Sequence, residues 1–134
     1  MAEERVCPCG GGPYATCCEP FHHGRTQAPT AGALMRSRYS AFALGLDDYL
    51  WRTWHPRTRP ERVALDDTQW IGLEIVEEVA GSERDQSGIV EFVAHYRHGR
   101  RHGSMRERSR FERRAGRWLY VDGEATAGGS ARNS

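Results

Sequence analysis

Lysine is missing altogether from this chain of 134 residues. All nineteen basic side chains are arginine, a bias read as genome composition rather than function. Long apolar runs are missing too: nothing approaches the roughly 18 consecutive apolar residues of a membrane span, so no membrane partner is expected. Met1-Ala2-Glu3-Glu4-Arg5 lacks the basic start and apolar run of a secretory signal, and the expected compartment is the reducing cytoplasm. Excess charge of either sign is absent. The formal net charge of +1 excludes a global field that would draw the protein to nucleic acid or an anionic surface. No H-E-x-x-H, G-x-S-x-G or phosphate-loop pattern occurs, which removes the familiar signatures of metallopeptidases, α/β-hydrolases and nucleotide-binding loops. Apolar residues make up only 38%, yet four Trp, five Tyr and four Phe supply bulky core material. At this length they fit one folded domain.

Cysteine is scarce and concentrated. All four lie in Cys7-Pro8-Cys9-Gly10-Gly11-Gly12-Pro13-Tyr14-Ala15-Thr16-Cys17-Cys18, a C-x-C-x7-C-C spacing. Zinc takes four ligands tetrahedrally with Zn–S about 2.3 Å, which places ligand sulfurs roughly 3.7 Å apart. Cys7 and Cys9 fit one ion across a tight turn, and the three glycines let the chain reverse where Cβ atoms would clash. Pro13 has the fixed φ suited to a helix start. A helical turn over Tyr14 to Cys18 would bring Cys17 back to the metal. Adjacent side chains diverge by about 100° in a helix but about 180° in a strand, so Cys18 joins Cys17 only on a helical or turn backbone. His22 and His23 are the rival fourth ligands. Free structural thiols or disulfides are the plain alternatives, but a vicinal Cys17–Cys18 bridge is strained and a reducing compartment disfavours others. The reading is structural zinc, with all positions filled by protein.

Residues 19–29, with two prolines and a glycine, read as a connector in which Phe21 packs the knot onto the rest. Thr30 suits an N-cap, and Leu34, Met35, Tyr39, Ala41 and Phe42 recur at three- and four-residue steps, an amphipathic helix from Ala31 to about Leu44. Arg36 and Ser40 fall on its wetter side, and Arg38 near the apolar face. Gly45 ends it; Asp47-Asp48 open an aromatic helix with Tyr49, Leu50, Trp51 and Trp54, stopped by Pro56. Residues 60–65 suit one more helical turn. The period then changes to 2. Gln69–Val79 is a strand with Ile71, Leu73 and Ile75 on one face. Ile89–His98 carries Val90, Phe92, Ala94 and Tyr96 on one face, Val93 and His95 on the other. Gly99–Gly103 is a basic hairpin tip. In Ser104–Arg113, Arg106, Arg108 and Arg110 face one way and Met105, Glu107, Ser109 and Phe111 the other. Arg117–Val121 is the fourth strand, and residues 124–134 form a small polar tail. Helices followed by antiparallel strands make an α+β fold, with a curved sheet around the long helix. The expected boundaries are a knuckle and connector over 1–28, the α+β unit over 29–123 and the tail.

Cys7-Pro8-Cys9-Gly10, the glycine turn, Tyr14 and Cys17-Cys18 resemble the SEC-C motif, the zinc-binding sequence at the tail of the SecA translocase motor. The motif has one residue more between its second and third ligands. Met35-Arg36-Ser37-Arg38-Tyr39-Ser40-Ala41-Phe42, Thr53-Trp54-His55-Pro56, Glu107-Arg108-Ser109-Arg110-Phe111 and Gly116-Arg117-Trp118-Leu119-Tyr120-Val121-Asp122-Gly123 are similar to the YchJ-type family of bacterial proteins. That resemblance implies a SEC-C zinc knuckle followed by a nuclear-transport-factor-2-like, or cystatin-like, cone. Many members add a second SEC-C motif at the C-terminus, which residues 124–134 do not contain.

Such cones often enclose a pocket. Arg38, Tyr39, Trp70, His95, Glu107, Ser109 and Trp118 are the candidates to line it, with Glu107 expected to pair with Arg38. The simpler reading of that pair is a fixture holding helix to sheet. Three functions follow as expectations. The first is a non-catalytic adaptor whose knuckle docks a protein partner through surface residues such as Tyr14. The second is a small-molecule-binding protein or enzyme using the pocket. The third is RNA binding through Arg100 and Arg101, helped by Arg106 and Arg108. Cones of this type often pair through their sheets, so a homodimer is a further expectation.

Overall fold

In the computed structural model, which describes residues 5–126, the chain runs from a cysteine-bearing turn into three helices and then a four-stranded sheet. A 3-10 turn, Tyr14–Thr16, leads into α1 (Glu19–His22), so the expected connector begins with a short helix. The long helix α2 (Ala31–Leu44) starts where Thr30 accepts a hydrogen bond from the backbone N–H of Ala33 at 3.0 Å. It ends at Gly45, whose φ of +76° places it in the left-handed cap that glycine adopts without a Cβ clash. Helix α3 (Asp47–Arg52) carries Asp47 and Asp48 in its first turn.

Strands β1 (Gln69–Ala80), β2 (Ser87–His98), β3 (Arg101–Arg114) and β4 (Arg117–Ala125) form an antiparallel meander in that order. The β2–β3 hairpin closes tightly, His98 opposite Arg101 across Gly99-Arg100. The β3–β4 turn places Ala115 and Gly116 at φ of +53° and +80°, the mirror-image conformation that matches strand twist. No helix among the described residues is long and apolar enough to cross a membrane.

Helix α2 lies on the inner face of the sheet. Leu34, Met35 and Tyr39 meet Val90, Phe92, Ala94, Phe111 and Trp118, and the buried cysteines Cys7, Cys9 and Cys18 join the same cluster. A smaller cluster of Ala41, Tyr49 and Leu50 holds α3, with Phe21 packed against both. The segment after α3 is tied to β4: His55 N–H donates to the Tyr120 carbonyl (2.7 Å) and Tyr120 N–H to that of Thr53 (2.9 Å).

Several expectations are corrected. Ser40 is completely buried, because the back of α2 is covered by the cysteine knot instead of water. Residues 60–65 form no helical turn. Ile71 points outward at 51% exposure, since a register shift between Trp70 and Gly72 turns Trp70 inward while Leu73 and Ile75 keep the core face. Strand β4 runs to Ala125, past the expected boundary at Gly123, because Glu107 pairs with Ala125; residues 127–134 of the expected tail lie outside the described residues. The bulge sets unequal costs for two truncations. Phe111→Ala, at a 1% exposed position, should cost about 3–5 kcal/mol in urea unfolding, and Ile71→Ala no more than about 0.5. Equal losses would place Ile71 in the core.

Candidate functional site

The cysteine knot begins as a small hairpin. Val6 bridges Pro13, and Cys7 N–H donates to the Gly12 carbonyl (2.8 Å) while Gly10 N–H donates to that of Cys7 (2.9 Å). Gly10 and Gly12 sit at φ of +87° and +117°. At Gly11 the requirement is space: a Cβ there would lie 2.8 Å from Cys17 Sγ and 3.4 Å from Cys9 Sγ. Pro13 precedes the 3-10 turn, which swings the chain back so that Cys17 and Cys18 face the first pair from a turn leading into α1. The four sulfurs lie within 4.8 Å of one another. Cys9–Cys17, Cys18–Cys9 and Cys17–Cys18 are 3.5, 3.8 and 3.9 Å apart, and all four thiols are free. A tetrahedral thiolate site needs sulfur separations of roughly 3.7 Å. The four cysteines are therefore in position to bind one metal ion. Hydrogen bonding from Cys18, helped by Cys17 and the Gly11 N–H, holds the Cys9 thiol down at about 4, so the cluster already favours a thiolate. Cys18 is pushed up because its proton serves Cys9 and because it is buried.

Helix α2 supplies the surroundings. Ser40 Oγ donates to Cys18 Sγ (3.4 Å) and lies 3.3 Å from Cys7 Sγ, and Arg36 reaches the Cys9 carbonyl at 3.4 Å. His22 is held from both sides. Its Nε2–H donates to the Ser37 carbonyl (2.8 Å), which leaves Nδ1 to accept from the Tyr14 hydroxyl (2.6 Å). Ser37 donates its hydroxyl to the Leu34 carbonyl (2.8 Å) and accepts from Tyr49 (2.7 Å), while Arg52 donates to the His22 carbonyl (2.9 Å). Tyr14 is thus buried at 6% exposure, which overturns its expected role as a surface docking residue. His23 is exposed, 3.9 Å from Glu19.

On the other side of α2 the sheet and helix form a partly open cavity of about 280 Å³. Met35, Phe42, Phe92, Ala94 and Met105 make most of it apolar, and of the expected residues Arg38, Tyr39, Trp70, Glu107 and Ser109 line it. His95 does not: it stands on the outer face, where its Nε2 meets Glu74 at 2.7 Å. Trp118 does not either, its indole donating to the Pro29 carbonyl at 3.1 Å. The expected Arg38–Glu107 ion pair is absent. Arg38, 4% exposed, donates through Nη1 to the Leu50 carbonyl (2.8 Å) and Thr53 Oγ1 (2.7 Å), with its guanidinium over the rings of Tyr120 and Trp54. Burial lowers it to about 10. Glu107 Oε2 instead accepts from Ser109 Oγ (2.8 Å) and Tyr120 OH (3.3 Å). The carboxylate lies over Gly123, where a Cβ would collide with Oε2. Sequence reasoning missed Trp54 and Tyr120 as cavity residues. Trp54 sits just beyond α3 in an extended bridge to Tyr120, and only the pairing of Glu107, Ser109 and β4 shows where Tyr120 points.

On the outer face of the sheet, three arginines of β3 are paired with carboxylates. Arg106 and Arg108 meet Glu91 at 2.7 and 2.8 Å, Arg108 also meets Glu77 at 2.9 Å, and Arg110 meets Asp122 at 2.6 Å. Arg106 and Arg108 are therefore not the free phosphate contacts expected beside the hairpin tip.

Residues 30–123 match the family model described as the YchJ middle NTF2-like domain. The chain belongs to the YchJ-type family. A UPF0225 protein of Chromobacterium violaceum is 57% identical, the match covering 88% of this chain and 91% of the relative. One from Streptomyces coelicolor is 55% identical over 88% and 94%. The solution structure of a SEC-C motif-containing protein from Rhodopseudomonas palustris superimposes with a TM-score of 0.78 at 34% identity, covering 91% of this chain and 99% of that one. A SEC-C protein from Psychrobacter arcticus gives 0.73 at 28% identity over 91% and 83%. The α+β fold is thus that of the YchJ-type cone, with the cysteine cluster where a SEC-C knuckle stands.

The knuckle-to-cone clamp has a pH signature. Burial, chiefly, holds His22 below its ordinary 6.5, so it stays neutral in the fold while the unfolded chain takes up a proton. Stability should be full above about pH 6.5 and fall below it, at up to about 1.4 kcal/mol per pH unit, until the folded state also protonates. Unfolding curves between pH 5.5 and 7.5 should show this slope, and His22→Gln should flatten it. An unchanged slope in the variant would clear His22 of the effect.

Proposed function

We propose that this protein binds a small molecule in the cone cavity, and that the cysteine cluster holds a structural zinc ion that secures the back of α2. The supporting observation is the cavity itself. It is about 280 Å³, mostly apolar, and walled by a buried arginine without a carboxylate partner and by the buried indole N–H of Trp54, which has no hydrogen-bond partner. Ligand sites are concave and apolar with a few placed polar groups. Four sulfur donors at tetrahedral spacing favour zinc over harder cations, which take oxygen ligands. All four are from protein and three are buried, which supports a structural ion. The adaptor reading has lost Tyr14, the residue it named, to the interior.

Freshly purified protein should carry one zinc per chain, and chelation should release four titratable thiols together and lower the melting temperature. Gly11→Val should give protein without stoichiometric metal, because its side chain overlaps Cys17 Sγ. Protein that carries no metal, with its thiols freely titrating, would remove the zinc assignment. For the cavity, ethylbenzene at 100 times its dissociation constant should raise stability by about 2.7 kcal/mol. Ala94→Trp, which fills the cavity from β2, should abolish that gain. A gain that survives the filling would place the binding elsewhere.

A further inference from the structure

Given a cavity that binds small molecules, as proposed above, the polar groups on its wall specify the chemistry of the ligand. They gather at one end. Arg38 lies 4.6 Å from the Tyr120 ring and 5.3 Å from that of Trp54, Tyr120 reaches Glu107, and Glu107 holds Ser109. The far end is aromatic, where Trp70 meets Tyr39 and Phe42 with ring centroids 6.2 and 6.3 Å apart. A cavity of about 150 Å³ holds benzene, so about 280 Å³ suits a molecule of roughly ten to twelve non-hydrogen atoms.

At the polar end, donors and acceptor are separate. Arg38 uses only Nη1 on protein, and its Nε and Nη2 have no partner among the described residues. The Trp54 indole N–H is likewise without one. At the aromatic end, Tyr39 carries a buried hydroxyl that makes no well-formed hydrogen bond, the backbone N–H of Gly72 lying near enough only to affect its acidity. The acceptor is Glu107, whose Oε1 carries no hydrogen bond among the described residues. The wall therefore holds one cation and one carboxylate. An anionic ligand would leave a net negative charge in an apolar cavity, and a pure hydrocarbon would leave the donors unsatisfied.

We infer that the cavity takes an uncharged, largely aromatic molecule ending in a carboxamide or lactam. Its carbonyl accepts from Arg38 and Trp54, and its N–H donates to Glu107. A neutral amide satisfies both kinds of group at once without adding charge.

Three probes with related skeletons test this by calorimetry on the full zinc-loaded chain: 2-phenylacetamide, phenylacetate and ethylbenzene. The amide is expected to bind at least about tenfold more tightly than either of the others. Glu107→Gln removes the charge and leaves one acceptor oxygen, which Ser109 and Tyr120 occupy, so phenylacetate should gain at least about tenfold and the amide, its N–H left without an acceptor, should weaken about tenfold. Trp54→Phe keeps the ring and removes the N–H. It should weaken the amide about tenfold with ethylbenzene unchanged, and it carries the test should the Glu107 variant not fold. Phenylacetate binding as tightly as the amide in the wild type, or an amide indifferent to Trp54→Phe, would overturn the ligand class and leave the cavity reading standing. If none of the three binds, ethylbenzene included, both are overturned.

Discussion

Helix α2 is buried on both sides, and the rest of the structure is arranged around that constraint. A helix on a sheet ordinarily shows one face to water. Here the second face is polar, with Ser37, Ser40 and Arg36, yet Ser37 and Ser40 are fully excluded from solvent. Buried hydroxyls demand partners. The knuckle provides them through Cys7 and Cys18 for Ser40, and α3 through Tyr49 for Ser37. Remove the knuckle and these groups would lose the shell that satisfies them. The cysteine turn is in this sense part of the core, which is why three of its four cysteines belong to the same buried cluster as Phe92 and Phe111.

The same helix divides two kinds of chemistry. Ser37 and Ser40 look back to the knuckle; Met35, Arg38, Tyr39 and Phe42 look forward into the cavity. Neighbouring positions of one rigid helix therefore connect the cysteine turn to a cavity wall. Arg38 is held from outside the cavity by Leu50 and Thr53 and from the side by Tyr120, so the charge is fixed before any ligand arrives. Such preorganisation limits the entropy lost on binding.

Outside the cone, charge works differently. Glu77 and Glu91 across from Arg106 and Arg108, and Asp122 across from Arg110, neutralise the arginine row of β3 by cross-strand pairing. In water these pairs contribute little individually. They do settle what an arginine-rich strand presents at the surface, which a count of basic residues does not.

Local chemistry determined much of this protein from sequence alone. Thr30, Gly45 and Asp47-Asp48 marked the helix ends because capping depends on a few adjacent atoms. Alternation placed Val90, Phe92 and Ala94 inward because a strand has a period of two. The crowding of four cysteines around three glycines marked a turn on which their sulfurs converge, because short loops have few ways to converge. Tertiary structure alone decided the rest. A bulge turned Ile71 out and Trp70 in, since register depends on the partner strand. Ser40 read as wet because nothing local shows that the knuckle would cover it. Arg38 and Glu107 line one cavity but do not form a pair. Their distance is set by how Leu50, Thr53 and Tyr120 fold against them, residues that a linear pattern cannot bring together.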